Sequence, residues 1–304
     1  MKRKYTLQEL FLNGMNTLKN AGIEEARLDA WLLLEYETKR NRAYYLAHME
    51  EPVEQDIAQR YLRCIGRRAK HVPLQHLTHQ AFFMGQEFYV NEDVLIPRQD
   101  TEIVVEKALQ LLNQEEAPEV LDMCTGSGCI LLSMLCEKAK ATGIGVDISE
   151  PALAVARRNA ALCKTGDRAR FVQSDLFDSD FFCGKSGIEQ PVYDMLISNP
   201  PYIASGEIHT LMEEVRLHDP RMALDGKEDG LYFYREITGN AMKYLKEGGW
   251  LVYEIGCDQG EDVCRILIEN GFTDVTAEKD LAGLDRVAFG RKSKGVESCY
   301  ILPQ

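Results

Sequence analysis

Four short stretches of this 304-residue chain carry side chains and turns with chemical potential. The first is Asp122-Met123-Cys124-Thr125-Gly126-Ser127-Gly128, set between an apolar run and a helical one. A glycine turn at a helix N-terminus lets the backbone approach a ligand closely. The second is Asp147, which closes the next apolar run 19 residues after Gly128. An acidic side chain placed there can accept both hydroxyls of a ribose. The third, Ser174-Asp175-Leu176-Phe177, ends a further run. Asp175 there can accept from an adenine amine or cap a turn, and Leu176 can pack on the ring. The fourth is Asn199-Pro200-Pro201-Tyr202. Its prolines stop any helix or ladder and stiffen the turn.

The loop and Asp147 form a nucleoside-cofactor signature. The third glycine of a dinucleotide fingerprint is replaced by Leu131, and no Gly-x-x-x-x-Gly-Lys-Ser/Thr phosphate loop occurs. A cofactor with a ribose but no phosphate, such as S-adenosylmethionine, suits this pattern. The Asn-Pro-Pro-Tyr turn supplies what an NH2 group needs to be methylated. The Asn199 side-chain oxygen and the Pro200 carbonyl can accept its two hydrogens, and Tyr202 can stack on the flat amide or base behind it. Such acceptors turn the nitrogen lone pair toward an electrophilic methyl and favour the positive charge that develops. Transfer from a sulfonium is downhill, so the chemistry asks for no strong general base and no catalytic histidine.

Positioning these turns requires a sheet. From residue 119 the pattern alternates strands (Glu119–Met123, Ile144–Ile148, Arg170–Gln173, Tyr193–Ser198, Trp250–Glu254) with helices over 127–138, 151–163, 230–246 and 259–270. That alternation predicts a mostly parallel sheet covered on both faces, closed by strands near Asp274–Glu278 and Arg286–Gly290. Ahead of it, Ala81–Ile96 reads as a β-hairpin around Gly85, and Thr101–Leu112 as a helix capped by Asp100 or Thr101. Apolar residues at helical spacing over 5–20, 24–38 and 53–70 predict a small helical domain. Arg60, Arg63 and Arg67 fall on the opposite side of its third helix, which reads as a solvated face, with a partner-binding stripe as the alternative. The chain thus divides into a helical domain (1–78), expected to recognise the substrate, a hairpin linker (79–96), an expected methyl-transferring domain (97–291) and a tail (292–304).

Composition narrows the class. The net charge is −13, with +3 over residues 1–80 and −16 over the remainder. An acidic catalytic part disfavours a phosphate-rich partner, so no direct nucleic-acid binding is expected. No apolar run spans a bilayer and the N-terminus lacks a signal-peptide core, which predicts a cytoplasmic protein with no membrane partner. Nine scattered cysteines without a Cys-x-x-Cys pair read as free thiols, and His71, His76 and His79 as structural, so no metal is expected.

With these residues in view, the chain resembles the release-factor glutamine-N5 methyltransferases over roughly residues 5–291. The resemblance is carried by Phe88–Glu102, Val120–Gly128, Gly145–Asn159, Asp194–Ile203, Pro220–Tyr234 and Lys279–Arg291. Asn-Pro-Pro-Tyr is shared with adenine methyltransferases, whereas the Ile96-Pro97-Arg98 and Leu224-Asp225-Gly226 neighbourhoods are more specific to this family. The resemblance implies a Rossmann-like, seven-stranded class I S-adenosylmethionine-dependent domain behind a helical domain and hairpin. It implies class I peptide-chain release factors as protein substrate, methylated at the glutamine of their Gly-Gly-Gln loop. Thr125, Gly126, Ser127, Gly128 and Asp147 would hold the methionine and ribose ends, with Cys124 where the family more often has glycine. Leu176, where some members have an aromatic residue, would lie against adenine and share that contact with Phe177. Asn199 would touch both cofactor and substrate, and Pro200, Pro201 and Tyr202 would cradle the glutamine. The main rival is a DNA or RNA adenine methyltransferase, which would need a basic target-recognition segment that this chain lacks. A second is an inactive binding module on the same fold, against which the intact Asp147, Asn199 and Tyr202 argue.

Overall fold

The computed structural model describes residues 5–182 and 192–293, and these fall into two compact units. The last eleven residues of the expected tail lie outside the described residues. The first unit takes the chain up to Gln80, with Val90–Glu92 and Leu211–Asp219 added. Its helices are α1 (Leu7–Asn20), α2 (Ala26–Thr38), α3 (Arg42–Ala47), α4 (Gln55–Arg68) and α5 (Leu74–Thr78). Thr6 and Glu9 close a capping box on α1, satisfying donors that the first turn would otherwise leave bare. The apolar faces bury Leu10, Leu18, Leu33, Leu34, Tyr61 and Ile65 in one core. Short α3 and α5 escape the periodicity argument because each is under two turns long. Of the arginine stripe, Arg63 and Arg67 are exposed, while Arg60 pairs with Glu37 at 2.8 Å and Asp56 at 2.9 Å.

The second unit opens with β1 (Ala81–Phe83) and β2 (Gln86–Phe88), antiparallel through a two-residue turn. Met84 and Gly85 both have positive φ, as a tight hairpin turn requires. Phe83 and Phe88 are buried in the same core as the central sheet, so the hairpin is part of this unit. The expected linker is therefore divided: its strands go with the larger unit, and Val90–Glu92 with the smaller.

Next come α6 (Asp100–Leu111), β3 (Glu119–Met123), α7 (Cys129–Glu137), β4 (Thr142–Asp147), α8 (Glu150–Leu162), β5 (Ala169–Gln173) and β6 (Tyr193–Ser198). The expected cap at Asp100 or Thr101 is corrected. Gln99 occupies the cap position, Asp100 starts the helix, and Thr101 is buried in its first turn.

After β6 the chain leaves this unit. Helix α9 (Glu213–His218) lies within Leu211–Asp219, which packs with the first unit. The sequence pattern predicts one continuous domain over 97–291, which this excursion interrupts. The excursion is held by charge: buried Arg68 donates to Asp29 at 2.6 Å and to Glu214 at 2.6 Å. His218 adds a contact to the Lys70 carbonyl at 3.2 Å.

The larger unit resumes with α10 (Arg221–Leu224), α11 (Tyr232–Tyr244), β7 (Leu245–Glu254), α12 (Gly260–Glu269), β8 (Thr273–Lys279) and β9 (Asp285–Arg291). The seven main strands run in the order β5-β4-β3-β6-β7-β9-β8. The first five are parallel, and β9 is antiparallel to both β7 and β8. This is the class I methyltransferase architecture. β7 starts earlier than Trp250 because Leu245 pairs with Tyr193 before the register shifts. Among the described residues no helix is long and apolar enough to cross a membrane.

Candidate active site

Strand order reverses between β3 and β6, and in an open α/β sheet ligands bind beyond the strand ends at that point. A cavity of about 380 Å³ opens there, within the roughly 300–1,000 Å³ typical of small-molecule sites. Its wall includes Cys124, Thr125, Gly126, Ser127, Asp147, Asp175, Leu176, Asn199 and Pro201. Ile96, Pro97, Arg98 and Thr101 contribute from the stretch ahead of β3.

The glycine loop is built by backbone geometry. Cys124, Gly126 and Gly128 all have positive φ, at 61°, 54° and 79°. Within the protein, Gly126 answers to backbone conformation, since an added Cβ would meet no protein atom. At Gly128 a Cβ would approach Ala156 to 3.2 Å, so that glycine also lets α7 and α8 pack closely. Cys124 adopts this conformation with a side chain, at a cost of roughly 1–2 kcal/mol. Thr125 donates its N–H to the Val146 carbonyl at 2.9 Å, and its hydroxyl to Asp122 Oδ2 at 2.5 Å. Burial pushes the Asp122 carboxyl up to about 7, against the Thr125 hydrogen bond. Burial, then Asp147 and Asp122, push the Cys124 thiol up, so it stands in the wall as a neutral group.

Asp147 ends β4 with its carboxylate fixed from two sides. Oδ2 accepts the Gly126 N–H at 2.9 Å and Oδ1 the Ser149 N–H at 2.9 Å. Burial raises its pKa, and those backbone donors oppose the rise. Each oxygen keeps lone-pair capacity, as a bridge to a vicinal diol requires. These residues fit a nucleoside cofactor: a pre-oriented carboxylate, a positive-φ loop, and buried Ser174 in the wall with its Oγ unpartnered.

At the end of β6, the Ser198 hydroxyl donates to the Met123 carbonyl at 2.6 Å and ties the two central strands together. Asn199 Nδ2 donates to Thr101 Oγ1 at 3.4 Å, which leaves Oδ1 as the acceptor available to the cavity. The Leu224-Asp225-Gly226 turn clamps the next residues. Ile203 N–H donates to the Leu224 carbonyl at 3.0 Å, and Gly226 N–H to the Ile203 carbonyl at 2.8 Å. A Cβ on Gly226 would lie 2.8 Å from the Tyr202 backbone, a contact only backbone movement could relieve. Gly226→Ala is therefore expected to displace the Asn-Pro-Pro-Tyr turn and lower turnover about tenfold, by misplacing groups that must be oriented. Steady-state methyl transfer with a melting curve checks this; unchanged turnover would contradict the clamp.

Of the residues singled out in the sequence, Gly128, Pro200 and Tyr202 stand outside the wall. Tyr202 is turned toward the core. Its half-buried side chain packs on the sheet core, with the hydroxyl 3.4 Å from Glu254 Oε1. A buried carboxylate at the end of β7 draws the phenol inward. Phe177 is likewise turned into the core, stacked on Tyr244 at 4.7 Å, and shares no wall with Leu176. Asp175 lines the cavity and its carbonyl also accepts from Asp178 N–H in a turn. Thr101 and Glu254 were missed. The available signal for Glu254 was a lone acid closing the apolar strand Trp250-Leu251-Val252-Tyr253.

Residues 9–78 match the PrmC N-terminal domain family, and residues 101–227 the methyltransferase small domain family. A release factor glutamine methyltransferase from Clostridium acetobutylicum is 36% identical over 281 residues, 92% of this chain and 96% of its own length. One from Geobacter sulfurreducens is 37% identical over 274 residues, 90% of this chain and 92% of its own. Among solved structures, the release factor-specific protein-(glutamine-N5) methyltransferase from Alicyclobacillus acidocaldarius is 28% identical, covering 68% of this chain and 99% of its own, with a TM-score of 0.41. The hMettl16 catalytic domain shares the fold at a TM-score of 0.56 and 14% identity, over 81% of this chain and 86% of its own.

Proposed function

This chain belongs to the release factor glutamine methyltransferases, and from that premise we propose which bond it makes and on what. The methyl group of S-adenosylmethionine is transferred to the side-chain amide nitrogen of the glutamine in the Gly-Gly-Gln loop of class I peptide-chain release factors. That modification modulates translation termination.

One observation carries the reading: Asp147 and Asn199 line the same cavity at the sheet's switch point. Asp147 would take the ribose hydroxyls, Cys124, Thr125, Gly126, Ser127 and Gly128 the methionine end, and Asp175 and Leu176 the adenine. When bound, the cofactor supplies an electrophilic methyl on a positively charged sulfur. Asn199 Oδ1 and the Pro200 carbonyl accept the two amide hydrogens of the glutamine, with Pro201 as wall and Tyr202 bracing the turn from behind. Both acceptors gain strength as positive charge grows on the nitrogen. The carbon–sulfur bond breaks as the nitrogen–carbon bond forms, and the surplus proton passes from nitrogen to solvent.

The test is transfer from labelled S-adenosylmethionine to a purified class I release factor, to the same factor lacking the Gly-Gly-Gln glutamine, and to duplex DNA. Label confined to the intact factor is expected. Label on DNA, or on the factor without its glutamine, would overturn the reading.

A further inference from the structure

Gln259 stands one residue ahead of α12, half-buried and outside the cavity wall, and no step above uses it. Its side-chain amide meets three separate turns. Nε2 donates to the Tyr202 carbonyl at 3.0 Å and to the Gly230 carbonyl at 3.5 Å. Oε1 accepts the Gly256 N–H at 3.0 Å. We propose that Gln259 is a positioning residue for methyl transfer, holding the Asn199-Pro200-Pro201-Tyr202 turn in register with the stretch that brings Tyr232 and Phe233 to the cavity. The proposal rests on the reaction assigned above and extends it beyond the cavity wall.

The turn needs anchors outside itself. Pro200 and Pro201 have no N–H, so neither can donate to hold the chain in place. Their fixed φ angles make the turn stiff, so a shift at Tyr202 passes back to Asn199. Asn199 rests on Thr101, the Ile203 N–H on the Leu224 carbonyl, and the Tyr202 carbonyl on Gln259. Space is as tight as the bonding. A Cβ on Gly230 would lie 2.4 Å from the Tyr202 carbonyl oxygen and 2.8 Å from Gln259 Nε2. Gly230, with φ at 74°, leads into Tyr232 and Phe233, which line the cavity. One amide therefore ties the two stretches together.

That amide has only one way round. Nε2 faces two carbonyls, which can only accept, and Oε1 faces a main-chain N–H, which can only donate. The Tyr234 hydroxyl also lies 3.4 Å from Oε1, but its single proton is taken by the nearer Glu254 main-chain carbonyl, at 2.9 Å. Gln259→Glu keeps the shape and changes the proton count. As a carboxylate, the new side chain sets oxygen against the Tyr202 carbonyl and has no hydrogen to give. Protonated, it regains one donor for that carbonyl and keeps an oxygen for Gly256. Burial and the facing carbonyls raise such a carboxyl above its ordinary value of about 4.3.

The test uses full-length protein and a class I release factor. Gln259→Leu should lower kcat about tenfold with KM for S-adenosylmethionine unchanged, as expected when an orienting contact is lost and the cofactor site is not. Gln259→Glu should be at least as impaired at pH 8 and recover toward wild type as pH falls to about 6, each rate taken relative to wild type at the same pH. Gln259→Leu should stay flat on that scale. The ratio cancels the charged and titratable neighbours that all three proteins share: Tyr202, Asp229 with Arg235, Tyr234 of α11, Glu254 of β7, Asp258, and Asp285 and Arg286 of β9. Melting curves over the same pH range confirm that the rates belong to folded protein. A substrate-free readout stands beside the kinetics. The Asn199 side-chain amide resonances, assigned from Asn199→Asp, should shift in Gln259→Leu, while the Gly126 and Ser149 backbone amides should not. A folded Gln259→Leu with full kcat, a Gln259→Glu ratio that is flat with pH, or unmoved Asn199 resonances overturns the proposal. Wild-type protein inactive on release factor, with the Asn199 shift present, would instead refute the substrate assignment and leave the placement of the turn by Gln259 standing.

Discussion

Asn199→Ala is expected to lower turnover on a release factor at least about 100-fold, the size of effect seen when one polar transition-state contact is removed. At 25 °C that is about 2.7 kcal/mol of barrier. The loss should fall on kcat more than on KM for S-adenosylmethionine, because the Oδ1 contact strengthens as the nitrogen gains charge. Alanine also removes the Nδ2 donor to Thr101, which leaves a small void rather than a stranded charge, so the fold should survive. Single-turnover transfer under saturating cofactor, alongside a melting curve, separates the two effects. A variant that folds and turns over at near wild-type rate would mean that the amide hydrogens are held by some other pair of acceptors.

Asp147→Ala should act on the other half of the reaction. Hydrogen bonds to a charged acceptor are each worth about 1.5–3 kcal/mol, so losing the grip on a ribose diol should weaken cofactor binding by roughly 10- to 100-fold. The same side chain anchors Gly126 N–H and Ser149 N–H. Its removal therefore also loosens the loop, which places the expectation toward the upper end. Calorimetric titration with S-adenosylmethionine or S-adenosylhomocysteine gives the dissociation constant directly. At saturating cofactor the variant should recover much of its turnover, unlike Asn199→Ala. An unchanged dissociation constant would remove Asp147 from the cofactor site.

How much of this was legible in the sequence depended on whether the determining contact was local. β3 and β6 were placed to the residue because their apolar runs stop at abrupt signals, Pro118 before one and Asn199-Pro200 after the other. The cofactor loop was legible because glycine spacing encodes backbone conformation within a few residues. Thr101 was misread as a cap because a threonine ahead of an apolar run ordinarily is one. Its side chain is instead buried, where Oγ1 accepts from Asn199 Nδ2, 98 positions away. Tyr202 faces the sheet core for a similarly distant reason, its hydroxyl lying 3.4 Å from the Glu254 carboxylate. α9 was invisible for a different reason: Glu213-Glu214-Val215-Arg216-Leu217-His218 has no apolar stripe to announce a partner. It is placed by ion pairing, which periodicity does not register.

That excursion has a consequence for how the molecule is made. The helical unit precedes the sheet in the chain but is closed by Leu211–Asp219. A ribosome that has finished Gln80 must add roughly 140 residues, on the order of ten seconds at typical elongation rates, before Glu214 exists to meet Arg68. Through that interval Arg68 has Asp29 but not yet Glu214 as a carboxylate partner. The helical unit is therefore completed out of order: its Arg68–Glu214 pair forms only after the sheet strands through β6 have been translated.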